Sequence, residues 1–232
     1  MTLTNHRALI RLLTRLRDSR HVWNTMGSVY NKRIQVAIAG LYERVAREVP
    51  VAGLSLILDA GSGRGYISLR LAANNRQSMI TGVDFASRQV ASAEKLRREK
   101  NIPNCAFIRG NVMNLPFQES HFDAAVSVGS IKHWPDGVGG LREIHRVLKP
   151  GATLVIAETD QAASEADLRR FIERFKIWFI PDRLLLWGLK HVVFGQSYSQ
   201  ETLARSVEQA DFRNIECLRA ADCPYVIVKA LK

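Results

Sequence analysis

The stretch Leu58-Asp59-Ala60-Gly61-Ser62-Gly63-Arg64-Gly65-Tyr66 constrains this chain more than any other. An apolar run from Leu54 to Ala60 reads as a buried strand that ends beside an acid, and three alternating glycines then turn the chain into a helix over 66–73. Glycine alone takes positive φ without penalty and lets the backbone approach a ligand closely. A dinucleotide fingerprint would need G-x-G-x-x-G, whereas this loop is G-x-G-x-G with an acid two residues ahead of it. A dehydrogenase reading therefore loses its main support, and the chain has no length left for a separate substrate domain.

Beyond the loop, strand and helix patterns alternate. They predict a strand over 79–84, a helix over 87–100, and a strand over 105–109 that leads into Asn114-Leu115-Pro116-Phe117. Phe122 to Val128 is a continuous apolar strand; Leu141, Ile144, Val147 and Leu148 then fall at helical spacing until Lys149-Pro150-Gly151, and a fifth strand covers 153–157. Such alternation argues for a parallel sheet covered by helices on both faces. The segment 160–199 breaks it with an apolar stripe at helical spacing, Leu168, Phe171, Ile172, Phe175, Trp178 and Phe179, interrupted by Pro181 and Gly188. A helix near 200–210 and strands over 214–218 and 225–230 close the chain. The expected division is an N-terminal helical extension (1–50), a core (51–159), a helical insertion (160–199) and a closing segment that completes the core (200–232).

At 232 residues with 47% hydrophobic content, one core is the default. No apolar run reaches the ~18 residues of a membrane span, and the Arg-bearing start lacks a signal-peptide core, so the expected location is the cytoplasm. Cys105, Cys217 and Cys223 have neither metal-ligand nor redox spacing and read as ordinary buried or half-buried thiols. The histidines likewise form no ligand spacing, and no metal is expected. A net charge of +11 raises the prior for an anionic partner, or is simply a solvated basic face.

Asp84 ends the second strand about twenty residues beyond the loop, where an acid accepts both ribose hydroxyls of a nucleoside. An acid there also caps a following helix; the glycine loop favours the ribose. Phe85 then lies beside an adenine ring or in the core. With Gly110-Asn111-Val112, Phe122-Asp123, Val126 and Leu148-Lys149-Pro150-Gly151, the order and spacing resemble the class I S-adenosylmethionine (SAM)-dependent methyltransferases, in particular the small-molecule branch that includes ubiquinone and menaquinone C-methyltransferases. The resemblance spans about 55–158 and the two closing strands.

It implies a Rossmann-like α/β fold: a seven-stranded sheet with the last strand antiparallel, N-terminal helices, and a helical cap after the fifth strand. SAM would lie across the carboxyl ends of strands one, two and four. Gly61, Gly63 and Gly65 would approach its methionine part, Asp59 its ammonium and Asp84 its ribose. Asn111, where many relatives carry Asp, would face the adenine amino group and the Val112 N–H a ring nitrogen; Ser62, Val128 and Tyr30 complete the expected cofactor-binding set. After the fourth strand, Ser130 and His133 would face the methyl group, with His133 the candidate base or else a hydrogen-bonded structural residue, and Lys132 pointing to solvent. Alignment and desolvation supply much of the rate of such a displacement. The insertion, with Phe175, Trp178 and Phe179, and the N-terminal Trp23 would line or cover the acceptor pocket, with packing as the plainer role for most of these rings. The expected function is methyl transfer to a small, partly apolar acceptor, with S-adenosylhomocysteine as product. An RNA or protein acceptor is the second reading, disfavoured by the lack of an appended RNA-binding module and of basic residues interleaved with aromatics; a non-catalytic SAM-binding protein is the third. A peripheral membrane contact competes with the cap as the role of the amphipathic insertion.

Overall fold

The computed structural model describes residues 37–51, 53–175, 181–194, 197–220 and 223–232. Helix α1 (Ala39–Glu48) leads to β1 (Leu56–Ala60), α2 (Tyr66–Asn74), β2 (Met79–Asp84), α3 (Ser87–Glu99), β3 (Cys105–Arg109) and β4 (Phe122–Val128). A single 3₁₀ turn (Ile131–His133) precedes α4 (Gly137–Val147) and β5 (Leu148–Thr159). Then come α5 (Glu165–Phe175), α6 (Asp182–Gly188) with a π-helical extension (Leu189–Phe194), α7 (Gln200–Glu208), β6 (Arg213–Arg219) and β7 (Tyr225–Leu231).

The strands form one sheet in the order β3-β2-β1-β4-β5-β7-β6. β1 to β5 pair in parallel, and β7 inserts antiparallel between β5 and β6. Helices cover both faces, so the central strands are apolar throughout: Ala124, Ala125 and Val126 of β4 are all buried. Alternate residues go to opposite faces. Ile57 joins Ile80, Val126, Leu41 and Val45 on the side of α1 and α2, whereas Leu58 joins Leu154, Ile144, Val147 and Leu203 on the side of α4 and α7.

Two boundaries differ from expectation. Strand β1 begins at Leu56, not Leu54, which is exposed; the Asp123 carboxylate accepts the Leu56 N–H at 2.8 Å and fixes the start of pairing. Strand β5 begins at Leu148, because Leu148 pairs with Phe122 while Thr153 pairs with Ala124, so the Lys149-Pro150-Gly151 stop lies inside the strand as an irregularity. The described part of the insertion stripe, Leu168, Phe171 and Ile172, is buried together with Phe194 in the α1–α2 layer. The Phe171, Phe194 and Tyr225 rings meet edge to face, with centroids 6.1–6.5 Å apart. Among the described residues no helix is long and apolar enough to cross a membrane, and no His/Cys/Asp/Glu group is placed to hold a metal. Cys105 is buried and the other two cysteines are half-buried.

The chain runs outward from β1 through β2 to β3, then returns to place β4 on the other side of β1. That reversal opens a crevice at the carboxyl ends of β1 and β4.

Candidate active site

All three loop glycines adopt positive φ, +74° at Gly61, +52° at Gly63 and +75° at Gly65. The Gly61 and Ser62 N–H groups both donate to the Val83 carbonyl, and the Gly63 N–H donates to Asp84 Oδ2 at 2.8 Å, so the loop is tied to the end of β2. A Cβ on Gly61 would overlap the Ser130 side chain, and one on Gly65 would overlap the Phe107 ring, which also fills the space above Gly82. Gly63 differs, since a Cβ there meets open space. Asp59, in β1, and Ser62, in the loop, have polar atoms unused: Asp59 Oδ1 and Ser62 Oγ are buried without a hydrogen-bond partner. Buried polar groups are nearly always paired, so two orphans beside an open glycine mark a place for a ligand. Burial pushes the Asp59 carboxyl up to about 7, opposed by the Ser68 hydrogen bond and reinforced by the nearby Asp84 charge. Asp84 is also held above its usual range by burial, although the Ala86 and Gly63 N–H groups pull the other way.

Across the crevice, Ser127 Oγ donates to the Ala60 carbonyl at 2.8 Å and locks β4 against β1. The turn after β4 carries Ser130, whose Oγ accepts from Trp134 Nε1 at 2.9 Å, and then Lys132 and His133. Lys132 does not point to solvent as expected. Its Nζ lies 2.5 Å from Glu158 Oε1, with the glutamate side chain fully buried and the lysine side chain 6% exposed. β4 and β5 are neighbours in the sheet, so the turn leaving β4 lies beside the end of β5 and brings the ammonium onto the buried glutamate. A second loop, Asn114 to Phe117, is anchored from α4: Glu143 accepts the Leu115 N–H at 2.9 Å, and Arg146 donates to the carbonyls of Phe117 and Leu115.

This glycine loop, strand-end acid and β4 turn lie within residues 54–217, which match the family model described as a methyltransferase domain. The chain belongs to the methyltransferase-domain family. The methyltransferase is 26% identical over 221 residues to the demethylmenaquinone methyltransferase of Lactiplantibacillus plantarum, covering 88% of this chain and 91% of that protein. It is 33% identical over 135 residues to the 2-phytyl-1,4-naphtoquinone methyltransferase of Nostoc punctiforme, covering 57% of this chain and 58% of that one. Among solved structures, a SAM-dependent methyltransferase from Aquifex aeolicus aligns with a TM-score of 0.66 at 16% identity, over 88% of this chain and 97% of that chain.

SAM is the methyl donor of this methyltransferase, and the residues present fit it. Asp59 offers an unpartnered carboxylate oxygen, Ser62 an unpartnered hydroxyl, and Gly63 open space. Phe85 is 37% exposed at the end of β2, so it is not a core ring. Val112 is buried in the α4-side core, Val128 is half-buried, and Asn111 Oδ1 accepts the Met113 N–H at 3.0 Å in a local turn. Tyr30, Trp23, Trp178 and Phe179 lie outside the described residues, as does the side chain of Phe175. Three contributors escaped the sequence reading. Phe107 shapes the loop from beneath, a role only the paired glycines at 65 and 82 hint at. Glu158 left no signal beyond being an acid inside an apolar run, and Lys132 read as an ordinary surface cation.

Proposed function

We propose that this methyltransferase acts on a small, partly apolar acceptor of the quinone type, in its reduced hydroxyl-bearing form, and works in the cytoplasm. The carrying observation is the contact between the cofactor loop and the β4 turn: the Ser130 side chain occupies the space that a Cβ on Gly61 would need. Ser130, which the reading assigns to the acceptor side, lies against the loop assigned to the methionine part, and this supports the reading. Relatives named for demethylmenaquinone and phytyl-naphthoquinone support the acceptor class.

In this reading SAM supplies a methyl group activated by attachment to a sulfonium sulfur. Gly61, Ser62, Gly63 and Gly65 bind its methionine end, Asp59 takes its ammonium, Asp84 its ribose, and Phe85, Asn111 and Val112 the adenine. Val128 borders the same site. Ser130 orients the acceptor, and His133 accepts the proton that the acceptor sheds as it gains the methyl. Keeping water from the sulfonium contributes to the rate in this reading. No feature of the fold or the relatives favours an RNA or protein acceptor over a small molecule.

The experiment is turnover of labelled SAM with a short-chain prenylated naphthoquinol, a total RNA fraction and a protein extract offered separately. Methyl transfer to the quinol alone is expected. Transfer to RNA or protein with none to any quinol would replace the reading. His133→Ala should lower kcat by about 10²–10⁴-fold with SAM affinity unchanged; a loss below tenfold would remove the base and leave alignment as the mechanism.

A further inference from the structure

The turn that carries Ser130 is fastened to β5 by a charge pair buried at the end of the sheet. Glu158 Oε1 accepts from Lys132 Nζ at 2.5 Å, and Oε2 lies 3.4 Å from the Lys132 backbone nitrogen, so one carboxylate grips both the side chain and the main chain of the same residue. The ammonium also lies 3.5 Å from the Gly129 carbonyl and 3.4 Å from Thr159 Oγ1, while the Thr159 N–H donates to Glu158 Oε1 at 2.7 Å. Just ahead of Ser130, the Gly129 N–H donates to the Ala157 carbonyl at 2.7 Å. Burial pushes the Glu158 carboxyl up, but the charge and hydrogen bond of Lys132 and the Thr159 N–H outweigh it and hold it below the usual carboxylate range.

Ser130 lies between these anchors and is held on its other sides as well. Its carbonyl accepts the His133 N–H at 2.9 Å, which closes the 3₁₀ turn, and its Oγ accepts from Trp134 Nε1 at 2.9 Å. The Trp134 ring in turn lies against Gly140 of α4, where a Cβ would overlap it. On the remaining side, the Ser130 side chain fills the space over Gly61. A buried ion pair is a poor way to gain stability, because apolar groups of similar volume often hold a fold as well or better. Hydrogen-bonded charges do, however, fix a direction and a distance that apolar side chains of the same size leave loose.

We propose that Lys132 and Glu158 are positioning residues for Ser130: the buried pair fixes the turn after β4 in the placement that sets the serine against the cofactor loop. The proposal rests on the reading of Ser130 as the residue that orients the acceptor, and its first readout needs neither acceptor nor turnover. The Trp134 indole N–H, bonded to Ser130 Oγ, is followed by NMR in the ligand-free protein. Its signal is assigned by its loss in Trp134→Phe, and Ser130→Ala gives its position once that bond is gone. Lys132→Met combined with Glu158→Gln removes both charges, nearly keeps both volumes and leaves a carbonyl to accept the Thr159 N–H, so the double variant is expected to fold. Its Trp134 signal should move at least halfway to the Ser130→Ala position. Lys149→Met breaks the ion pair with Asp123 at the other end of β4 and should leave the signal in place.

If the double variant fails to fold, Glu158→Gln alone, which keeps carbonyl acceptors for the ammonium, carries the test. A Trp134 signal that stays at its wild-type position in the folded variant overturns the proposal. So does one that moves as far in Lys149→Met, since any loosened contact along β4 would then do the same. Turnover decides the reading on which the proposal rests. With the signal displaced, kcat on the prenylated naphthoquinol should fall about 10–100-fold while S-adenosylhomocysteine affinity is unchanged. A displaced signal with undiminished kcat would uphold the positioning and take Ser130 out of the reaction.

Discussion

Replacing Asp59 by Asn separates the stability of this protein from its affinity for SAM. The carboxyl is fully buried, one oxygen has no partner, and burial holds its pKa up to about 7. For an acid raised above its unfolded value, the folded state retains the proton that the unfolded state has released, so stability is greatest at low pH and declines as pH rises from the usual carboxylate range to about 7. Cofactor binding has the opposite sign, because an ammonium requires the ionised form. With an apparent affinity scaled by the competent fraction, a group titrating near 7 is about half ionised at pH 7 and about 9% ionised at pH 6. Affinity should therefore weaken about fivefold between these pH values, or ~1 kcal/mol, and tenfold for each further unit. Calorimetry with S-adenosylhomocysteine between pH 5.5 and 7 stays below the range in which the ligand's own amino group titrates. Asp59→Asn should raise the Tm of the ligand-free protein at pH 8 and flatten the pH dependence at a lower affinity. A wild-type affinity constant from pH 5.5 to 7, with the fold intact, would refute the role given to Asp59.

Gly65→Ala should destabilise the protein by about 1–3 kcal/mol, because the new Cβ meets the Phe107 ring in a backbone conformation that L residues rarely adopt; chemical denaturation measures it, and Phe107→Leu on top should recover part of the loss. Asp84→Ala removes the acceptor of the Gly63 N–H and, on the proposed function, that of the ribose, and should cost about 1.5–3 kcal/mol of S-adenosylhomocysteine affinity by calorimetry. Arg146→Ala frees the carbonyls of Leu115 and Phe117, so hydrogen exchange over 114–117 should quicken while exchange in β1 is unchanged.

Much of the fold was legible because the central strands are buried on both faces and so read as unbroken apolar runs, Phe122 to Val128 most clearly. The glycine loop was legible for a related reason: only positions needing positive φ or close approach demand glycine at alternate residues. The fifth strand was clipped at Thr153 because Pro150 and Gly151 signal a stop, whereas their irregular pairing leaves Leu148 free to bond Phe122. The motif Phe122-Asp123 pointed to a family without saying why. In the structure Asp123 joins the start of β1 to Lys149, its Oδ1 2.6 Å from the lysine Nζ, a contact between positions far apart in the sequence. Lys132 was misplaced by the same limit: a lysine in a polar turn reads as solvated until its turn is seen folded onto a buried glutamate. Phe171 read only as part of an apolar helical stripe, and its packing against Phe194 and Tyr225 puts it in the core.

The central claim is that the Gly61–Gly65 loop holds SAM through the open space at Gly63. It is tested most directly by titrating S-adenosylhomocysteine into the wild-type protein and into Gly63→Val, with circular dichroism confirming that the variant is folded. One site per chain in the wild type and no detectable binding in the variant is the predicted result; equal affinity in the two proteins would contradict it.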